Sequence, residues 1–95
     1  MVMIKSFADK GTERLWQRQR SKAIPADLHR GALKKLTQIH LAGDLNDLGV
    51  PPGHSLERLG GDRKGQYSIR INDQYRVCFV WATGDAYEVE VTDYH

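Results

Sequence analysis

The stretch DAYEVEVTDYH sets a carboxylate, a phenol and an imidazole in succession, Asp93, Tyr94 and His95, behind the alternating residues Tyr87, Val89 and Val91. Upstream, NDQYRVCFVW places Arg76 at the start of a second alternating run. Pairing of those two runs would bring a fixed cation, a phenol and an imidazole to one place. An imidazole with an ordinary pKa of about 6.5 gives or takes a proton near neutrality. A guanidinium braces phosphate oxygens through paired hydrogen bonds. The combination suits proton transfer at a phosphate ester. A blander reading uses the same residues: Arg76 pairs with Asp93 or Glu90, His95 idles, and the last residues fray. The residues alone leave both readings open.

Other residues that often carry chemistry offer less here. Cys78 is the one cysteine, so it has neither an internal disulfide partner nor a CxxC mate for zinc. His29 and His40 have no HxxxH or HExxH context and read as ordinary helix residues. His54, in PPGH, reads as a loop residue. GGDRKG lacks the GK[ST] ending of a nucleotide-binding loop and leads into a strand where that motif leads into a helix.

The elements that must position these groups follow from periodicity. VMIKSF predicts a short first strand, and KGTERLWQRQRSK a helix anchored by Leu15 and Trp16. Lys10, Arg14, Arg18 and Lys22 recur every four residues and would form a basic stripe on it, a solvated face or a phosphate-facing one. Pro25 suits the first turn of a second helix running to about Ala42. Leu28, Ala32, Leu36 and Ile39 form its buried stripe, widened by Leu33 and Leu41. GDLNDLGVPPGH is a connector. Three strands follow, QYSIRIN, YRVCFVW and AYEVEVT. The expected fold is α+β: a small antiparallel sheet in the order β-α-α-β-β-β with two helices on one face.

Alternation puts Tyr67, Ile69, Ile71, Val77, Phe79, Trp81, Tyr87, Val89 and Val91 on the helix side. Matching these sets predicts Ile71 opposite Val77 and Ile69 opposite Phe79, with a turn at Asp73–Gln74–Tyr75. It also predicts Trp81 opposite Tyr87 across Thr83–Gly84–Asp85. The uncovered face then carries three rows: Ser68, Val80 and Glu88; Arg70, Cys78 and Glu90; Asn72, Arg76 and Thr92. Asp93, Tyr94 and His95 would lie beside Arg76 and Asn72 on that face.

At 95 residues, 40% hydrophobic and 27% charged, the chain has room for one domain, residues 1–95, and one modest core. Its longest apolar run, Val77 to Ala82, is far shorter than a membrane span. Lys5 interrupts the start too soon for a signal peptide, so a cytoplasmic location is expected. Residues 1–76 hold fourteen Lys or Arg against eight Asp or Glu, whereas residues 77–95 hold four acids and no Lys or Arg. A basic part beside an acidic wall suits a polyanionic partner.

LERLGGDRKGQYSIRINDQYRVCFVW, VEVT and the DYH ending resemble the HigB-type toxins of the RelE superfamily, along nearly the whole chain from Met3 to His95. The resemblance implies a toxin of a type II toxin–antitoxin system, an endoribonuclease that cuts mRNA in the ribosomal A site. The ribose 2′-OH attacks the neighbouring phosphate and a 5′-OH leaves, with no metal and no cofactor. It assigns Arg76 the phosphate role and His95 the acid role, with Tyr94 and Asp93 shaping the site. Arg63, Lys64 and Arg70 become RNA contacts. Many HigB members carry histidine where this chain has Glu57, and lysine where it has Gly60. Glu57 matches the acid–base glutamate of the related YoeB toxins, so Glu57 and His95 are the implied acid–base pair. The implied partners are the ribosome, A-site mRNA and a helix-turn-helix antitoxin of HigA type, the free toxin being monomeric. The ParE-type toxins, which share the fold and bind DNA gyrase, and a non-catalytic RNA-binding module are the alternatives. The DYH ending argues against the first.

Overall fold

The computed structural model describes residues 4–49 and 55–93. Asp9 opens helix α1, Lys10–Trp16, by accepting a hydrogen bond from the Thr12 amide at 2.7 Å. The helix closes with Arg18 in the left-handed region at φ 63°, where the Arg18 and Gln19 amides return to the carbonyls of Leu15 and Arg14. The four-residue basic stripe is therefore broken: Lys10 and Arg14 share the helix, and Arg18 and Lys22 lie beyond its end.

A 3-10 turn at Ala26–Leu28 leads into α2, His29–Leu41. Leu28, Ala32, Leu36 and Ile39 are buried as the spacing requires, and Leu33 packs against them. Leu41 departs from that stripe and is 64% exposed. His40 accepts a hydrogen bond from the Ile4 amide, and the His29 ring bonds the Ile24 carbonyl. Among the described residues no cluster of His, Cys, Asp or Glu could hold a metal ion, and no helix is long and apolar enough to cross a membrane. Inside the connector lies a short helix α3, Leu45–Gly49.

The sheet is antiparallel, in the order β1 (Glu57–Arg58), β2 (Gln66–Arg70), β3 (Tyr75–Ala82), β4 (Asp85–Asp93). Two features differ from the expected order. The short strand β1 was not foreseen. Among the described residues, the amino-terminal segment forms only isolated bridges, Ile4 to Ala86 and Phe7 to Val89, and these run parallel to β4. Ile69, Val77, Phe79, Ala86 and Val89 meet Leu15, Leu36 and Ile39 in one core.

Register differs in two places. Ile69 pairs with Val77 and Tyr67 with Phe79, two residues from the expected match. The Asn72 side chain accepts from the amides of Gln74 and Tyr75, which moves the turn one residue earlier. Between β3 and β4, Cys78 opposite Glu90 and Arg76 opposite Thr92 agree with expectation. Beyond them Phe79 faces a bulge, with Glu88 at φ 53°. The bulge flips the parity, so Ala86 replaces Tyr87 on the core side, and Tyr87 stands opposite Val80.

The face turned away from the helices is not open. Ser68 and Cys78 are fully buried and Arg76 is 6% exposed, because groups from residues 55–63 reach over them.

Candidate active site

Arg76 is the second residue of β3, and its burial makes its hydrogen bonds the first matter to settle. Its Nε donates to the Ser68 hydroxyl at 2.7 Å. Its Nη2 donates to the Ser55 carbonyl at 2.5 Å, with the Ser68 carbonyl at 3.5 Å. Its Nη1 lies 3.9 Å from Oε1 of Glu57. Ser55 presents that carbonyl from a left-handed backbone, φ 45°, a conformation that costs a non-glycine residue and that local contacts must hold.

Strand pairing explains why these residues meet. β1 sets Glu57 opposite Ser68, and β2 sets Ser68 opposite Cys78. Glu57, Ser68, Cys78 and Glu90 thus form one row across four strands, and Arg76 sits in the next row between Arg70 and Thr92. Like charges directly opposite each other weaken a sheet, yet Arg70 and Arg76 are such a pair. Their guanidinium groups diverge: Arg70 bonds the Asp73 carboxylate and the Asn72 carbonyl, and Arg76 turns to the two serines.

A cavity of about 300 Å³ opens there, lined by Ser55, Glu57, Arg70, Asn72, Asp73 and Arg76. Two cations and two carboxylates, Asp73 bonded to Arg70 and Glu57 facing Arg76, share one concave surface that can hold a phosphodiester and take a proton from a group beside it.

Of the residues singled out in the sequence, Glu57, Arg70 and Arg76 come together. Asp93 stands one position past Thr92, opposite Tyr75, and its carboxylate accepts from the Gln74 side chain at 2.9 Å. Tyr94 and His95 lie outside the described residues, as does His54. Arg63 follows a different course. From a 3-10 turn at Gly61–Arg63 it reaches across the face to Glu90 at 2.5 Å and to the Gln66 side chain at 3.0 Å. The Glu90 hydrogen bond holds the Arg63 guanidinium above its ordinary pKa. Under this pair, burial pushes the Cys78 thiol up, the Arg63 charge opposing it in part. Lys64 lines a separate cavity of about 490 Å³ with Arg58, Leu59, Gly60 and Gly65.

Ser55 and Ser68 were missed in the sequence. Alternation put Ser68 on the right face, but against the wrong partner, and a lone serine carries no mark of a role. Ser55 acts through its backbone carbonyl, which residue type does not report.

Comparison with known proteins follows the same lines. A family model for the RelE-like toxin of the type II toxin–antitoxin system HigB matches residues 5–95. The chain is 38% identical over 85 residues to Toxin HigB-1 of Vibrio cholerae, covering 88% of this chain and 90% of that protein. It is 33% identical over 93 residues to Endoribonuclease HigB of Proteus vulgaris, covering 98% of this chain and 100% of that protein. Among solved structures, a YafQ mutant from E. coli shares the fold with a TM-score of 0.62 at 11% identity, over 99% of this chain and 94% of that one. A chain of the YoeB–YefM complex from Staphylococcus aureus gives 0.59 at 21% identity, over 100% and 98%. At such identities the structures speak to the fold alone.

Proposed function

The chain belongs to the HigB-like family of RelE-like toxins of type II toxin–antitoxin systems, and on that premise we propose that it is an endoribonuclease cutting mRNA in the ribosomal A site. The observation that carries this reading is the single cavity shared by Glu57, Arg70 and Arg76, with Glu57 and Arg76 in reach of one phosphodiester. A relative at 33% identity is named an endoribonuclease.

Each part of the reaction has a side chain assigned to it. Glu57 takes the proton of the ribose 2′-OH as that oxygen bonds to the adjacent phosphorus. The bond from phosphorus to the 5′ oxygen breaks, leaving a 2′,3′-cyclic phosphate on one fragment. Arg76, with Arg70 beside it, carries the charge that builds on the non-bridging oxygens. His95 protonates the departing 5′ oxygen, and Tyr94 and Asp93 shape the site around it. No step calls on a metal or cofactor. Arg63 and Lys64 contact RNA phosphates outside the reacting group. The chain acts with an antitoxin as the family description requires, and we assign that partner to the HigA helix-turn-helix type, with the free toxin monomeric.

Primer extension on a defined mRNA in a reconstituted translation reaction tests this reading. The expected result is a set of cuts that need ribosomes. No cuts at all, with purified DNA gyrase inhibited in parallel, would replace it with a ParE-like binder.

A further inference from the structure

Ser68 has no assigned role, yet it sits where the two reacting groups are joined. It is fully buried, directly opposite Glu57, and bonded through its hydroxyl to Nε of Arg76 at 2.7 Å. A guanidinium is a rigid planar fork, so fixing Nε at one edge and Nη2 at the Ser55 carbonyl fixes the direction of Nη1. Nη1 is the nitrogen turned toward Glu57. An arginine on a flexible stem would otherwise sample many rotamers, and charge stabilisation depends on donors being aimed before the charge develops.

We infer that Ser68 is the positioning residue of Arg76. Its hydroxyl orients the guanidinium toward the phosphate held beside Glu57, and Ser68 itself does not touch the substrate. The inference rests on the RNA-cleaving reading for its kinetic part, and on geometry alone for its orienting part.

Ser68→Ala removes the acceptor, and Ser68→Cys keeps nearly the same volume with a poor acceptor, so packing and hydrogen bonding are separated. Both are compared with the wild-type chain in single-turnover cleavage of ribosome-bound mRNA. The Nε proton of Arg76 is followed by NMR in the free toxin. The expected result is a cleavage rate roughly 10- to 100-fold lower in both variants, as for losing one hydrogen bond to a charged group. Affinity for the ribosome should be unchanged, and Ser68→Cys should stay folded with a lowered Tm, since the buried Arg76 Nε keeps only a poor acceptor. The Arg76 Nε proton should exchange slowly in the wild type and fast in both variants. Unchanged exchange in Ser68→Cys would overturn the inference whether or not the protein cuts RNA. A full cleavage rate in a folded Ser68→Cys variant would overturn it as well. Wild-type protein that cuts nothing, with a protected Nε proton that Ser68→Cys exposes, would sink the nuclease reading and leave the orienting role standing.

Discussion

Nη1 of Arg76 and the carboxylate of Glu57 face each other 3.9 Å apart across the strand that separates them, β2, whose Ser68 bonds the arginine. The pair is unequal in exposure. The Arg76 side chain is 7% exposed and that of Glu57 48%. Arg76 is thus built into the sheet, and Glu57 reaches the cavity from its edge. That difference sets opposite expectations for the two residues when each is altered.

Arg76→Ala should abolish cleavage and also destabilise the fold, because the hydroxyl of Ser68 loses its buried partner. An unsatisfied buried group costs about 1–3 kcal/mol, and each kcal/mol lowers Tm by roughly 4–8 °C in a domain of this size. Alternation put Arg76 on an uncovered face, and the burial of its side chain reverses that. Arg76→Lys keeps the charge without the fork. A rate about a hundredfold down, the usual result of losing one oriented donor, is expected in single-turnover assays.

Glu57→Gln keeps the shape of the side chain and removes the base. Thermal denaturation should show no change in Tm, since the group is half exposed. The cleavage rate should fall by about 10²–10⁴, the range of a lost general base. A variant that cuts at the wild-type rate would remove Glu57 from the chemistry and leave the 2′-OH proton to another group.

Arg63 and Glu90 bind the 59–65 loop to the far strand. With the Arg63 side chain 38% exposed, solvent screens the pair, and a double-mutant cycle on Arg63→Ala and Glu90→Ala should give a coupling below about 1 kcal/mol. The same variants should loosen the loop, read as faster proteolysis within residues 59–65. Coupling several times larger would mean that the loop is part of the folding core.

Burial raises the Cys78 thiol above its ordinary pKa of 9.0. The folded chain then holds this proton at alkaline pH where the unfolded chain has released it. Stability from this group is full below the ordinary value and is lost as pH rises through the raised one. Denaturant titrations at increasing alkaline pH should therefore show a falling stability that Cys78→Ala lessens. In the native protein at neutral pH the thiol should resist alkylation.

The core and the site were legible to different degrees. The stripe Leu28, Ala32, Leu36, Ile39 and the strand residues Ile69, Val77 and Phe79 could be read from period alone, since burial acts on every repeat. Register could be read only in part, because single side-chain hydrogen bonds decided the rest. The Asn72 side chain fixed the hairpin turn at one end. At the other, the Ser6 hydroxyl accepts the Glu88 amide and pins the bulge that returns Tyr87 to the opposite face. YEVEV alternates without a flaw, so nothing in it announces a bulge. The rows that held, Arg76 with Thr92 and Cys78 with Glu90, lie on the side of the bulge away from the turn.

The site follows the same division. Arg70 and Arg76 could be put on one face by parity, whereas Glu57 entered only through resemblance to a family. Its strand is two residues long and too short to show a period. The closing of that face by residues 55–63 depended on a backbone carbonyl and a long arginine, and neither leaves a pattern in sequence.

Mapping the chemical ends of the cut RNA tests the central claim most directly. Wild-type protein acting on ribosome-bound mRNA should leave a 2′,3′-cyclic phosphate on the upstream fragment and a 5′-OH on the downstream one, with Glu57→Gln and Arg76→Lys both suppressing the cut. A 5′-phosphate on the downstream fragment, or the same ends at full yield from both variants, would contradict an attack by the 2′-OH at the cavity of Glu57 and Arg76.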